Sequence, residues 1–156
     1  MPEHAVQALQ HAVRIRIVAA TLAQLLVTLG LLTMVPALLA LGLGNHQLWQ
    51  RLGLTTAAIW TVGLLLLRLP GVDLRRIDLQ WNEALAVTGL AFLLAGVTMV
   101  WPLETAGIGT LGALLEAVSA VTTTGLTVLR DLESADPALL FLRGWMQWYG
   151  GSASRC

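Results

Sequence analysis

Apolar residues fall into blocks separated by short polar stretches. From Ile17 to Leu43 no formally charged side chain occurs, a length of about 40 Å if helical, against a hydrocarbon core of ~30 Å. This block predicts a transmembrane helix that is tilted or kinked. Pro36 is the expected kink, because it removes a backbone donor and crowds the preceding turn. The rival reading, a cleavable signal peptide, requires an apolar region of only about 7–15 residues. Gly42–Asn45 predicts a turn. Leu48–Leu69 forms a second apolar block, interrupted by Arg51 near its start, where Trp49 and Arg51 suit an interfacial anchor. A loop over residues 70–80 follows, carrying Arg75 and Arg76 just after Arg68. A third charge-free block runs from Ala84 to Trp101 and is closed by Pro102.

The stretch Gly109–Val128 has a different character. A helix from Thr110 to Val121 would be only about 18 Å long, too short to cross. It then meets Thr122, Thr123, Thr124 and Gly125. β-Branched threonines favour extended backbone and glycine takes positive φ at little cost, so the helix is expected to unwind into an extended segment. An acidic connection over 130–136 comes next, with Asp131, Glu133 and Asp136. Asp136 reads as an N-cap and Pro137 as the first helical residue. The helix after it, about 15 residues or roughly 22 Å, falls short of a full span.

Composition agrees with a bilayer. Of the 156 residues 56% are hydrophobic and 12% charged, far from a soluble domain of that length. Nine basic residues, all Arg, balance nine acidic ones with no basic run, so nucleic acid is not an expected partner. One cysteine, Cys156, excludes a disulfide framework or a cysteine-based zinc site within one chain. His4, His11 and His46 lack metal-ligand spacing. No Ser/His/Asp set or paired acid/base carboxylates lie at membrane depth, so an enzyme is not expected. Arg14, Arg16, Arg68, Arg75 and Arg76 fall on one side if two spans separate them. By the positive-inside rule that side is cytoplasmic, which predicts a multi-pass protein of the inner membrane with a cytoplasmic N-terminus.

A short helix entering between spans and ending in extended Thr/Gly backbone reads as a pore loop, since unwound backbone at membrane depth persists only where protein buries it or it lines a water-filled cavity. The helix would present its partially negative C-terminus to a cation, and the carbonyls of Thr122, Thr123, Thr124 and Gly125 would replace hydration oxygens. The alternative is a helix C-terminus with a glycine cap before another span, in a small structural or partner-binding membrane protein. Glu116 either supports the strand or reaches the outer water. Arg143, six residues past Pro137, snorkels or pairs with Asp131, Glu133 or Asp136, or serves the pore as an intramembrane charge. Trp145, Trp148 and Tyr149 are expected to pack or anchor.

The segment LLEAVSAVTTTGLTVL, followed by LLFLRGWMQWYGG, resembles the first pore repeat of the Trk/Ktr/HKT superfamily of potassium transporters, most closely its bacterial TrkH/TrkG branch. The N-terminal pair of spans, with MVPALLAL, resembles the extra hairpin preceding that repeat. The resemblance covers residues 14–151 in order and spacing. It implies an all-α integral membrane protein: a hairpin and basic loop over 1–80, then a helix, pore loop and helix over 81–156. It places Thr122, Thr123, Thr124, Gly125 and Leu126 in a potassium filter. Glu116, Ser119, Thr127 and Arg143 become its support, and Gly150 and Gly151 fall at the matching helix. Potassium is the implied substrate, with no cofactor. The bilayer, the remaining pore repeats, a second copy and a cytoplasmic nucleotide-binding regulatory subunit are the implied partners. Because the chain passes into Ser-Ala-Ser-Arg-Cys after Gly151, the expectation is an N-terminal fragment that supplies one pore loop and is inactive alone.

Overall fold

A computed structural model describes residues 15–68, 80–129 and 135–153, all of them in helices, turns or irregular segments. The chain is an all-α membrane protein. Three helices are long and apolar enough to cross a bilayer: α1 (Ile15–Gly42), α2 (His46–Leu67) and α3 (Trp81–Leu103). A 3-10 turn over Glu104–Ala106 leads to the short α4 (Gly109–Val121), and α5 (Pro137–Ala153) completes the set. The expected basic loop with Arg75 and Arg76, the N-terminal residues with His4, His11 and Arg14, and Asp131, Glu133 and Cys156 lie outside the described residues.

α1 and α2 form a hairpin around the turn at residues 43–45. Asn45 caps α2, its side-chain oxygen accepting from Leu48 N at 2.9 Å. Contact is close because small residues sit at the seam: the Trp60 ring lies where a Cβ on Gly30 would go, and a Cβ on Gly63 would meet Val27 Cγ2 at 3.2 Å and the Ala23 carbonyl at 3.3 Å. In lipid, where apolar contact alone gives little drive, such packing and interhelical hydrogen bonds hold helices together. Here the hydroxyls of Thr33 and Thr56 meet at 2.8 Å, both buried. Pro36 does not break α1, which continues through it to Gly42.

α3 starts earlier than its charge-free run suggested. It begins at Trp81 and takes in Glu83, whose carboxylate accepts from Gln80 N at 3.0 Å in a capping-box arrangement. It also passes through Pro102 to Leu103. Ala95, Gly96, Met99 and Leu103 are buried, with Val118 of α4 seated over Gly96. α5 begins as its cap residues predict. Asp136 Oδ1 accepts from Ala138 N at 2.8 Å and Leu139 N at 3.3 Å. Ala138, Leu139, Leu142, Met146 and Gly150 make its buried stripe at helical spacing. The exposed leucines of α1, α2 and α3 face outward, as expected of surfaces against lipid tails.

Candidate functional site: the corner at the end of α4

α4 ends at Val121, and its ending is a Schellman motif. Thr124 N donates to the Ser119 carbonyl at 3.0 Å and Thr123 N to the Ala120 carbonyl at 3.1 Å. The left-handed residue such a cap needs is Thr123, at φ 57°. A β-branched residue there is strained, typically by about 1–2 kcal/mol. Gly125, at φ 79°, is a second left-handed position two residues further on and is not the cap itself. The hydroxyls tighten the corner: Thr122 Oγ1 donates to the Val118 carbonyl at 2.7 Å and lies 2.7 Å from Thr124 Oγ1.

Beyond the corner the chain reverses and runs back along α4. Ser119 Oγ donates to the Leu126 carbonyl at 2.7 Å. One helical turn earlier, Glu116 Oε1 accepts from Thr127 Oγ1 at 2.6 Å, Val128 N at 2.5 Å and Leu129 N at 3.3 Å. A single carboxylate thus gathers three donors from the returning segment. Its other oxygen, Oε2, lies 2.7 Å from Arg143 Nε, an ion pair set off the N–H axis rather than an aligned hydrogen bond. Arg143 Nη2 also donates to the Leu126 carbonyl at 3.2 Å.

Glu116 is 1% exposed, so its carboxylate does not reach water. Among the described residues Arg143 pairs with Glu116 rather than with Asp136, while Asp131 and Glu133 lie outside them. The Arg143 side chain, 11% exposed, turns to Glu116, and Asp136 is instead engaged by the α5 cap and by Asn45 Nδ2 at 3.0 Å. The reason is electrostatic: a buried carboxylate demands a counter-charge more strongly than one at a wet edge.

The backbone carbonyls divide sharply. Those of Thr122, Thr123, Thr124 and Gly125 accept no hydrogen bond from the described residues, whereas the next one, Leu126, accepts two. Residues 122–128 are exposed, and Thr122, Thr124, Leu126, Thr127 and Val128 border a groove shared with Leu115, Val118 and Ser119. The structure therefore brings Glu116, Ser119, Leu126, Thr127 and Arg143 together as one clamp, and it leaves Thr122–Gly125 projecting from it.

Around this site lie contacts the sequence did not announce. Arg51 Nη1 donates to the Trp101 carbonyl at 2.7 Å and approaches Glu104 Oε2 at 3.5 Å, and Arg51 Cζ lies 5.5 Å from the centroid of the Trp101 ring. Glu104 Oε1 accepts from Thr110 Oγ1 at 2.6 Å, tying the start of α4 to the end of α3. Phe141, Trp145 and Trp148 stack in series on α5, with centroids 5.7 and 4.9 Å apart. The pairing of Arg51 with Glu104 carried one signal, opposite charges at the ends of adjacent spans that topology places on one side.

Known proteins align with this sequence. Over 124 residues the chain is 32% identical to the Trk system potassium uptake protein TrkH of Halomonas elongata, an alignment covering 77% of the chain and 25% of that protein. The chain is similar to TrkH. Over 73 residues it is 36% identical to the protein of the same description from Vibrio parahaemolyticus, covering 47% of the chain and 13% of the relative. No family model matches. The TrkH-like chain thus spans about a quarter of the length of the first of these relatives.

Proposed function

We propose that the chain contributes one pore loop to a potassium-selective path across the inner membrane, as part of a Trk-type uptake system. The observation that carries this reading is the division of carbonyls at the corner. Four consecutive carbonyl oxygens, Thr122 to Gly125, accept no hydrogen bond from the described residues at the C-terminal end of a short helix. Oxygen atoms replacing an ion's hydration shell, with a helix C-terminus behind them, suit a cation and repel an anion. Leu126 stands outside the set, because its carbonyl is already held by Ser119 and Arg143. Glu116, Ser119, Thr127 and Arg143 keep the strand in place.

The N-terminus is cytoplasmic, and the corner opens toward the outer face. That face carries Asn45, Arg51, Glu104 and Asp136, polar residues that meet across helix ends. Four carbonyls on one strand form one side of a coordination shell. The other sides come from further pore repeats, and a second copy and a cytoplasmic nucleotide-binding subunit are the implied regulatory partners. The chain by itself is expected to move no ions.

A chimera tests this. Residues 14–151 replace the matched region of the Halomonas elongata relative, and the product is expressed in cells lacking potassium uptake. Growth at low potassium is expected, with Gly125→Ser altering the preference for potassium over sodium. A chimera that supports growth with unchanged selectivity in Gly125→Ser would refute the filter role. Rubidium uptake by the 156-residue chain alone would overturn the need for partners.

A further inference from the structure

Positions 150 and 151 are both glycine, although each disfavours a helix interior by about 1 kcal/mol relative to Ala. Both face the corner where α4 ends. A Cβ on Gly150 would overlap the carbonyl oxygen of Val121 and crowd its carbonyl carbon and Cα. A Cβ on Gly151 would sit 3.3 Å from Thr123 Cγ2. The first obstruction is backbone and cannot rotate aside; the second is a methyl group that can give way. Gly144, earlier on the same helix, has nothing within 4 Å.

We propose that Gly150 is a positioning residue for the carbonyls of Thr122–Gly125, setting how closely the last turn of α4 settles on α5. Gly151 sets the seat of Thr123. The inference rests on reading that strand as ion-coordinating. Its physical basis is that both ends of the strand are pinned. The cap bonds join Thr123 and Thr124 rigidly to Ala120 and Ser119, and from Leu126 onward the strand is held by Ser119, Glu116 and Arg143. A displacement of Val121 is therefore passed directly to residues 122–125, the segment between these two anchorages. Packed surfaces respond to such intrusion by shifting rather than compressing.

The test has two stages. In the purified full chain in detergent micelles, backbone amide NMR of Gly150→Ala should show shifts at residues 121–125 while the signals around Thr33 and Thr56 stay in place. Gly144→Ala should leave the corner unmoved. Gly151→Ala should give smaller shifts, suppressed by adding Thr123→Ser, which removes Cγ2. A folded Gly150→Ala with an unmoved corner overturns the proposal. If Gly150→Ala does not fold, the Gly151→Ala and Thr123→Ser pair decides, and lack of suppression overturns it. In the chimera, Gly150→Ala should lose preference for potassium over sodium. If Gly125→Ser changes selectivity and Gly150→Ala does not, the positioning role fails alone. If neither changes it, the filter reading itself fails.

Discussion

The indole N–H of Trp145 donates to the carbonyl of Leu32 at 2.9 Å, joining residues 113 positions apart. Leu32 is the residue whose helical partner would be the backbone N–H of position 36, and Pro36 has none. The proline inside α1 thus frees an acceptor at membrane depth, and a side chain of α5 takes it up. This sets the rotation of α5 against the hairpin, and hence the face that α5 turns toward the end of α4.

Trp145→Phe should leave that carbonyl unpaired and lower stability by about 1–3 kcal/mol. In a Pro36→Ala background the helix supplies its own donor, so the same substitution should cost distinctly less. Unfolding of the four proteins in mixed micelles gives the coupling as a double-mutant cycle. A coupling indistinguishable from zero would refute the link.

Removing one member of the Glu116–Arg143 pair leaves a buried charge alone. Arg143→Met should destabilise by about 3–5 kcal/mol, and the double variant Arg143→Met with Glu116→Gln should recover much of that loss. Thermal unfolding of the purified chain measures it. Amide exchange at Val128 and Leu129 should accelerate in either Glu116→Ala or the Arg143 variant, because Glu116 Oε1 holds both amides. Unchanged exchange there would show that the returning segment is held by something else.

Much of this was legible in sequence, and the exceptions have causes. The spans and the short α4 followed from the length of apolar runs, and the α5 start from Asp136 and Pro137. The end of α4 near Val121 followed from β-branched threonines. The charge-free run of the third span begins at Ala84, three residues inside the helix, because Glu83 caps α3 from its first turn. Arg143 was left with several roles open, because sequence distance does not rank Glu116, 27 positions earlier, as its partner, whereas the fold buries that carboxylate beside it. The left-handed cap residue was not legible at all, since propensity favours Gly125 there whereas the cap bonds fall at Thr123 and Thr124. The link from Trp145 to Leu32 carried a signal that went unused: a proline inside a membrane helix always leaves a carbonyl in need of a donor.

Thr123→Gly should relieve the left-handed strain of the cap. Part of that gain is offset by the added flexibility of the unfolded chain, so a net stabilisation of no more than about 1 kcal/mol is expected. Gly125→Ala, at φ 79°, should destabilise by about 1–2 kcal/mol. Chemical denaturation in micelles compares the two. Equal effects of the same sign would contradict the assignment of both positions to left-handed backbone.

Asp136→Ala removes the α5 cap and the partner of Asn45 together. A loss of about 0.5–2 kcal/mol is expected, with faster exchange confined to the amides of Ala138 and Leu139. Exchange that accelerates along the whole of α5 would show that the cap governs the helix rather than its first turn.

The hydrogen bond from Asn45 to Asp136 also sets a clock. The two residues are 91 positions apart, which at about 5–20 residues per second of synthesis separates their emergence from the ribosome by roughly 5–18 s. The Thr33–Thr56 contact lies within the hairpin and is available as soon as α2 has entered the bilayer. The hairpin can therefore close early, while the start of α2 waits at the membrane surface for a partner made several seconds later.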